Sequence, residues 1–259
     1  MSRRIVALVA AASLWTCPAA AVELSVAVAA HFAPTLAALS PQFQAQTGHA
    51  VRAASGSTGK LLAQITQGAP FDVLLAADAE SARRIAAQGL AEADSQVAYA
   101  VGRLVLYSAR PGLVDGQGAV LDSDRFGKLA LANPKLAPYG AAAEAVLQRL
   151  GLLERSRARW VVGENIAQTF QFVYSGAADL GFVARAQVVA RPGGSTWLVP
   201  THLHPPLVHD GIVLSAARRK SAAQAAAARQ LLGWLRTPHA QAVLVAAGYD
   251  AVAQTKAAP

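Results

Sequence analysis

The sequence predicts an α/β protein made of two halves with a ligand cleft between them. Short apolar runs alternate with segments of helical periodicity, which predicts parallel strands whose connecting helices cover both faces of a sheet. This rhythm occurs twice, on either side of a Gly- and Asp-rich stretch at residues 111–124. Of the 259 residues, 54 % are hydrophobic and only 15 % are charged, which favours a substantial core over disorder.

Three strands with a helix after each are predicted in the first half. The strands are expected at residues 24–30, 51–54 and 73–77. The helices are indicated by apolar positions at Leu36, Leu39 and Phe43, by those at Leu61, Leu62 and Ile65, and by the segment 81–88. Pro41 falls inside the first helix and predicts a kink or an early end there.

The second half repeats the pattern, and the chain then ends in helices. One strand is expected at 103–108, before the Gly- and Asp-rich stretch, and further strands are expected after it at 129–132, 160–162, 180–183 and 197–199. A strand at 212–215 follows a Pro- and His-rich loop, and the periodicity does not assign each strand to one half. Helices are expected around 146–150 and 166–174. Two further helices close the chain, and Thr237-Pro238 is a favourable start for the second of them. No internal sequence repeat is visible.

The first 21 residues have the features of a cleaved export signal. Arg3 and Arg4 precede a short apolar run, which ends in small residues at 19–21. The run is shorter than the ~20 apolar residues that span a bilayer. We therefore expect a signal peptide at 1–21 and a secreted mature chain. Cys17 is the only cysteine, so its removal would leave no disulfide, thiol chemistry or cysteine metal site.

The formal net charge of +8 raises the question of a nucleic-acid partner. Apart from Arg218-Arg219-Lys220, the positive residues are scattered, and no basic stripe is interleaved with aromatic side chains. The charge therefore indicates a soluble surface that mildly favours anions, with no nucleic-acid partner.

One loop has the composition of an anion site. Residues 55–60, Ser-Gly-Ser-Thr-Gly-Lys, follow a strand and open a helix, where backbone amides and hydroxyls both donate hydrogen bonds. A nucleotide-binding P-loop is excluded, because Ala54 stands at its first glycine and Leu61 stands where Ser or Thr should follow the lysine. Taken alone, the loop is better explained by an ordinary capped helix.

Three more turns between a strand and a helix offer donors. They contain Ala30 with His31, Tyr139, and Glu164-Asn165-Ile166, where the amide of Ile166 would face the cleft. Each has an ordinary alternative, since His31 or Glu164 could cap a helix and a buried tyrosine needs only one partner. Together the turns give two donor sets to each half, and ligands of open α/β sheets lie at the carboxyl ends of strands. The pattern predicts an oxyanion held by neutral donors from both halves.

Catalytic and metal sites are less well supported by the residues. No paired carboxylates lie on a common loop, and no Gly-x-Ser-x-Gly elbow occurs. His202, His204 and His209 match no metal-binding spacing, and we expect them to be solvated in a loop. We likewise expect Lys60 to face water and Glu164 to cap a helix.

Several stretches, by their order and spacing, resemble the molybdate-binding proteins of bacterial ABC importers. The resemblance covers residues 24–249. Its matching segments are Val-Ala-Val-Ala-Ala-His-Phe at 26–32, Ser-Gly-Ser-Thr-Gly at 55–59, Gly-Ala-Pro-Phe-Asp-Val at 68–73, Ala-Ala-Asp at 76–78, Asn-Pro at 133–134, Ala-Pro-Tyr-Gly at 137–140, Gly-Glu-Asn at 163–165 and Leu-Gly-Phe-Val at 180–183.

The resemblance implies a two-lobed periplasmic binding protein of type II, in which each lobe is a mixed, mostly parallel sheet flanked by helices. Two crossovers and a hinge would join lobe 1, at 22–100 plus 210–259, to lobe 2, at 101–209. Molybdate, and tungstate with it, would be held as the oxyanion by hydroxyls and amides, without a counter-charge, a direct metal-cation ligand or a cofactor. The ligand residues carried over by motif are Ala30, His31, Ser57, Thr58, Tyr139 and Ile166.

The resemblance also implies a periplasmic protein that is not an enzyme and that delivers its ligand to the membrane permease of an ABC importer. We further expect a monomer. The alternatives are a binder of sulfate or phosphate, for which Glu164 would be the nearest acceptor, and a hydrolase working through His31 and Glu164. A ligand-sensing regulatory module is disfavoured by the export signal and by the absence of a DNA-binding segment.

The chain departs from the family at two positions. Some members have a ligand tyrosine where Ala184 stands, and Tyr139 would replace it. His31 stands where many members have Ser or Asn. A protonated histidine strengthens anion binding, so tighter binding at mildly acidic pH is expected if His31 touches the anion.

Overall fold

Two five-stranded sheets flanked by helices make up the protein, seen here in a computed structural model that describes residues 21–191 and 193–252. The strands are β1 (Glu23–Ala29), β2 (Ala50–Gly56), β3 (Val73–Leu75), β4 (Val97–Gly102), β5 (Leu104–Ser108), β6 (Leu129–Ala132), β7 (Trp160–Gly163), β8 (Leu180–Ala184), β9 (Ser195–Leu198) and β10 (Leu207–Val213). The α-helices are α1 (Ala33–Thr47), α2 (Thr58–Thr66), α3 (Ala79–Ala87), α4 (Pro138–Arg149), α5 (Leu153–Arg157), α6 (Ile166–Tyr174), α7 (Ser215–Lys220), α8 (Ala222–Leu235) and α9 (Pro238–Ala246). The predicted α/β class is confirmed.

Both sheets have the same strand arrangement. The first has the order β2-β1-β3-β10-β4, and the second has the order β7-β6-β8-β5-β9. In each sheet the first three strands of this order are parallel, and the fourth is antiparallel to both of its neighbours. The sheets are therefore mixed and mostly parallel, as predicted, although the sequence shows no internal repeat.

The chain crosses between the sheets twice. It passes from β4 to β5 through the single residue Arg103, and it returns from β9 to β10 through residues 199–206. The predicted lobe limits, near residues 100 and 210, fall within β4 and β10 and stay a prediction. Because β10 inserts between β3 and β4, the C-terminal part of the chain completes the sheet that the N-terminal part begins.

Helices cover both faces of the first sheet. Leu24, Val26 and Val28 of β1 pack in one apolar core with α1, α8 and α9, whereas Ala27 packs in a second core with α2 and α3. Successive side chains of a strand point to opposite faces, so a strand between two helical layers is buried on both. This is the physical reason why β1 reads as an almost continuous apolar run.

The bounds of β4 and β10 differ from the sequence expectation. Strand β4 was not expected as a separate strand. Residues 97–108 form one apolar stretch with Arg103 as its only charged residue, so the sequence shows no clear break between two strands. The structure divides this stretch between two sheets. Strand β10 begins at Leu207, before the expected start at Ile212. The earlier start was missed because the polar pair His209-Asp210 interrupts the apolar run, although both residues are buried within the strand.

Helix α1 continues through Pro41 to Thr47, so it does not end early at the proline, whereas the kink expected as the alternative stays a prediction. Proline removes one backbone donor from a helix. The helix persists because its buried residues lie on both sides of the proline, with Leu39 before it and Phe43 after it. The Ser40 hydroxyl donates to the Leu36 carbonyl at 2.7 Å.

Among the described residues, no helix combines the length and the apolar character needed to cross a membrane. The predicted signal peptide, apart from its last residue, lies outside the described ranges.

Candidate anion-binding site

Four turns between a strand and a helix meet at one small cavity. Two belong to the first sheet, β1–α1 and β2–α2, and two belong to the second, β6–α4 and β7–α6. The lining includes Ala30, His31, Ser57, Thr58, Tyr139 and Ile166. The structure therefore brings together all six residues predicted to bind the ligand, at the carboxyl ends of strands from both sheets.

Helix N-termini surround this cavity. Helices α1, α2, α4 and α6 all begin at or beside its lining residues. The first amides of a helix have no acceptor within the helix, and the helix dipole adds partial positive charge at the same end. Four such ends can hold an anion without a charged side chain.

Ser57 supplies the clearest unused donor. Its hydroxyl is buried and has no hydrogen-bond partner in the described part of the chain, although Ser57 is the N-cap residue of α2. The neighbouring Thr58 hydroxyl accepts from the Ala77 amide at 3.3 Å and keeps its own proton for another acceptor. A buried polar group without a partner costs roughly 1–3 kcal/mol, which a bound acceptor would offset.

The backbone amides of the site are not equivalent. Asn165 caps α6 by accepting from the amides of Ala167 and Gln168, each at 3.0 Å. The amide of Ile166 lies one residue before these two, at the first position of α6. The Ala30 amide donates to the Gly56 carbonyl at 3.0 Å, so it is already engaged in this structure.

Aromatic side chains form the wall that joins the two halves. The His31 and Tyr139 rings lie 4.7 Å apart between centroids. Behind both lies His209 of β10, whose Nδ1 is 3.5 Å from His31 Nε2 and whose Nε2 is 3.4 Å from the Tyr139 hydroxyl oxygen. All three side chains are buried.

Burial keeps these three side chains uncharged. It holds the pKa of His31 well below its ordinary value, with a smaller effect from His209, and it lowers the pKa of His209 to about 3. Burial, together with the nearby Tyr249, also raises the pKa of Tyr139 well above its ordinary value, so this hydroxyl keeps its proton. Burial therefore disfavours the charged form of His31 in the anion-free protein, and tighter anion binding at mildly acidic pH stays a prediction.

We expect the buried histidines to make the protein less stable in mild acid. An unfolded chain protonates a histidine near pH ~6.5, whereas folded His209 has its pKa lowered to about 3. This folded-state pKa is depressed, so the histidine costs nothing above the unfolded pKa, and stability is lost as the pH falls below it. At about pH 5, His209 alone lowers the free energy of unfolding by about 2 kcal/mol.

Urea unfolding at about pH 7.5 and about pH 5 measures this loss. His209→Gln should reduce the difference between the two free energies of unfolding. His239→Gln, which removes an exposed histidine, is the control for the substitution itself. The same difference in all three proteins would contradict the prediction.

Two contacts beside the cavity connect its two sides. Lys60 of α2 forms a 2.8 Å ion pair with Glu164, in the turn before α6. The Gly59 amide donates to the Leu136 carbonyl at 2.8 Å. Lys60 is exposed to water, as expected, although it also pairs with Glu164. The expectation that Glu164 caps a helix is wrong, since Asn165 is the cap of α6.

The expectation of solvated histidines is wrong for His204 and His209, which are 3 % and 0 % exposed. His204 Nδ1 lies 2.7 Å from the Pro205 carbonyl oxygen, and His209 lies within β10. His202 is exposed, as expected. Over residues 21–191 and 193–252, no group of three or more His, Cys, Asp and Glu side chains is arranged to hold a metal ion.

Two residues of this region carry no sequence pattern that points to a site. Gly102 ends β4, and a Cβ atom there would overlap the Tyr139 hydroxyl and lie 2.5 Å from His209 Nε2. The only signal for His209 is a polar pair, His209-Asp210, inside the otherwise apolar segment 207–213. A segment of this kind can form a buried strand only when its polar residues have partners from distant parts of the chain, and the sequence does not show such partners.

Comparison with known proteins identifies the class to which this fold and site belong. The model of a family described as bacterial extracellular solute-binding protein matches residues 24–250. The chain belongs to this family of bacterial extracellular solute-binding proteins.

Individual relatives narrow the comparison further. The chain is 46 % identical over 252 residues to the molybdate-binding protein ModA of Azotobacter vinelandii, covering 96 % of this chain and 97 % of that one. It is 44 % identical over 232 residues to ModA of Rhodobacter capsulatus, covering 90 % of each chain. The solved structure of the Azotobacter vinelandii periplasmic molybdate-binding protein matches with a TM-score of 0.84 and 42 % identity, over 89 % of this chain and 100 % of that one.

These comparisons confirm the resemblance and the two-lobed binding-protein fold predicted from the sequence. These relatives are named as molybdate-binding proteins, and this chain belongs with them to the family of bacterial extracellular solute-binding proteins.

Proposed function

We propose that the chain captures molybdate in the cavity between its two halves and delivers it to the membrane permease of an ABC importer. Tungstate, a tetrahedral dianion of the same charge and shape, is bound in the same way. The ligand residues are those predicted from the sequence: Ala30, His31, Ser57, Thr58, Tyr139 and Ile166.

The observation that supports this proposal is the chemistry of the cavity lining. Of the described residues that line the cavity, none is Asp, Glu, Lys or Arg. The lining offers hydroxyl donors from Ser57, Thr58 and Tyr139, and it lies at four helix N-termini. A fully deprotonated tetrahedral anion accepts all of these hydrogen bonds. Hydrogen phosphate would bring a proton that needs an acceptor, and Glu164 is paired with Lys60 instead.

The relatives support molybdate as the particular oxyanion, since two of them that are more than 40 % identical are named as molybdate-binding proteins. The related structure named as a periplasmic protein supports the periplasm as the place of action. We propose that the mature protein works there as a monomer, after its signal peptide has been removed.

Binding and delivery follow from contacts made by both halves. An anion held by donors from both sheets stabilises the closed arrangement by its differential affinity for that state. The hydrogen bond from Gly59 to Leu136 and the Lys60–Glu164 ion pair belong to the same arrangement. The permease would then recognise the closed, loaded form.

Calorimetric titration of the mature protein with molybdate, tungstate, sulfate and phosphate tests the proposal. We expect one-to-one binding of molybdate and tungstate, with weaker or no binding of the other two anions. Heat from sulfate or phosphate alone would support an anion site but would show that its ligand is not molybdate or tungstate. No heat from any of the four anions would reject the proposed function.

We expect Ser57→Ala to weaken molybdate binding roughly ten- to hundred-fold, because it removes a hydrogen bond to a charged ligand. The anion-free protein should be as stable as before or more stable, because the lost hydroxyl has no partner within the described residues. Calorimetry and urea unfolding of the same variant measure the two effects.

Ser156→Ala is the matched control. Its buried hydroxyl donates to the Leu153 carbonyl at 2.9 Å and accepts from the Trp160 ring nitrogen at 3.0 Å, away from the cavity lining. This variant should lose stability and keep its molybdate affinity. A Ser57→Ala protein that binds molybdate as tightly as the unmodified protein would remove Ser57 from the ligand set.

A further inference from the structure

His209 contacts the side chains of two of the proposed ligand residues. Its imidazole is fully buried, and each ring nitrogen faces one of them: Nδ1 lies 3.5 Å from His31 Nε2, and Nε2 lies 3.4 Å from the Tyr139 hydroxyl oxygen. His31 follows β1 of the first sheet, whereas Tyr139 belongs to α4, beside the second sheet. The single ring of His209 therefore bridges the two halves at the back of the cavity.

The packing around His209 leaves its ring little freedom. The Tyr99 and Tyr249 rings lie 5.9 Å and 5.6 Å from the His209 ring between centroids. On the side of β4, Gly102 has no side chain, and a Cβ atom there would lie 2.5 Å from His209 Nε2. The ring is thus held where its two nitrogens face His31 and Tyr139.

The number of donors and acceptors on the two side chains decides whether Tyr139 can donate its proton to the anion. A neutral imidazole has one donor nitrogen and one acceptor nitrogen, and a phenol has a single proton to donate. If His209 Nε2 accepts from Tyr139, the phenol proton is used inside the protein and only oxygen lone pairs face the anion. If His209 Nε2 carries the proton, it donates to the Tyr139 oxygen, and the phenol proton is left for the anion.

The second arrangement, with the proton on His209 Nε2, also accounts for the contact between His209 and His31. With its proton on Nε2, His209 presents an unprotonated Nδ1, which accepts from His31 Nε2–H. Neutral His31 then has no ring proton for the anion, and its proposed contact with the ligand is made through its backbone amide. The chain of donors then runs from His31 through His209 to Tyr139 and ends on the ligand. A fully deprotonated oxyanion, which only accepts, completes this chain.

We infer that His209 is a positioning residue that holds the Tyr139 hydroxyl as a donor toward the bound oxyanion. His209 does not line the cavity itself. The inference rests on the proposed function, in which Tyr139 binds the anion. It extends that function by assigning selectivity for fully deprotonated tetrahedral anions to a side chain outside the ligand set.

A double-mutant cycle tests the inference, with calorimetric titration of sodium molybdate into the mature protein. Tyr139→Phe removes the donor, and we expect roughly ten- to hundred-fold weaker binding. His209→Phe leaves the phenol without its partner and should weaken binding to a similar extent. The double variant should be about as weak as Tyr139→Phe alone, since His209 acts through Tyr139.

Two further variants separate positioning from packing. His209→Gln keeps a side-chain N–H donor for the Tyr139 oxygen and should recover most of the affinity lost in His209→Phe. Tyr99→Phe removes another buried tyrosine hydroxyl, which donates to the Ala76 carbonyl at 3.1 Å and lies outside the cavity lining. It should bind molybdate as tightly as the unmodified protein.

A spectroscopic measurement keeps the inference testable even if His209→Phe does not fold. Nitrogen NMR of the unmodified, molybdate-saturated protein reports which ring nitrogen of His209 carries the proton, and we expect Nε2. A proton on Nδ1 would overturn the inference.

The possible results of the titrations can be told apart. Losses that multiply in the double variant, or full affinity in His209→Phe, would overturn the positioning role while Tyr139 stays a ligand. Full affinity in Tyr139→Phe would remove Tyr139 from the ligand set and overturn the inference with it. No molybdate binding by the unmodified protein would reject the proposed function before any variant is compared.

Discussion

Replacing Asp72 with alanine is expected to lower the free energy of unfolding by about 3 kcal/mol. The Asp72 carboxylate is fully buried just before β3. It accepts from the Ser25 amide and the Gln224 side chain, each at 2.8 Å, and it pairs with Lys220 at 2.7 Å. These partners belong to β1, α8 and α7, so one side chain fastens the C-terminal helices to the first sheet.

The loss comes mainly from the buried donors. Lys220 is 39 % exposed and can turn toward water, whereas the donors from Ser25 and Gln224 lose their shared acceptor. We therefore expect a value at the lower end of the ~3–5 kcal/mol typical for breaking a buried pair. Asp72→Asn, which keeps one acceptor oxygen for the Ser25 amide, should be less destabilising than Asp72→Ala.

Urea unfolding at neutral pH measures the effect, with Glu23→Ala as the control. Glu23 pairs with Arg52 at 3.0 Å, but both side chains are more than half exposed. Removal of such an exposed pair changes stability by less than about 1 kcal/mol. An Asp72→Ala protein as stable as the Glu23→Ala protein would show that the buried carboxylate does not fasten the helices.

Gly102→Ala is expected to weaken molybdate binding roughly ten- to hundred-fold, through a steric cost of about 1–3 kcal/mol. The added methyl group would occupy the space where the Tyr139 hydroxyl approaches His209 Nε2. Tyr139 is 1 % exposed and His209 is 0 % exposed, so neither ring can swing into solvent to make room. Gly102 is not among the glycines with positive φ, so alanine adds no backbone strain and the effect is that of crowding alone.

Gly233→Ala is the matched control for this substitution. Gly233 lies inside α8, and a Cβ atom there would have no neighbour within 4 Å. Alanine is favoured over glycine in a helix by about 1 kcal/mol, so this variant should be at least as stable as the unmodified protein and bind molybdate equally well. A folded Gly102→Ala protein with full molybdate affinity would show that the contact between Tyr139 and His209 is unimportant for binding.

Much of the fold follows from patterns that are local in the sequence. Strands such as β6 and helices such as α6 have the predicted bounds, because each has an apolar period that matches its own geometry. Of the two outcomes expected at Pro41, a kink or an early end of α1, the early end does not occur, for the opposite reason. There the local cost of a proline is outweighed by apolar packing on both sides of it.

The candidate site could be predicted only in part. The turns that contain Ser57 and Ile166 could be proposed as donors because a strand followed by a helix start presents unpaired amides, and both residues line the cavity. The roles of Glu164 and Lys60 were missed because their ion pair joins turns that lie far apart in the sequence. The residues adjacent to Lys60 in the sequence do not indicate a pairing with Glu164, and those adjacent to Glu164 do not indicate a pairing with Lys60.

The sequence by itself determined the α/β class, the export signal as an expectation, and four turns rich in hydrogen-bond donors, because these depend on short segments. Only the tertiary structure decided that the four turns meet at one cavity and that burial lowers the pKa of His31. It also brought His209 against His31, although the two are 178 residues apart in the chain. Burial and the contact between distant side chains are properties of the packed chain, and they set both the charge of these histidines and the direction of the hydrogen bonds they can make.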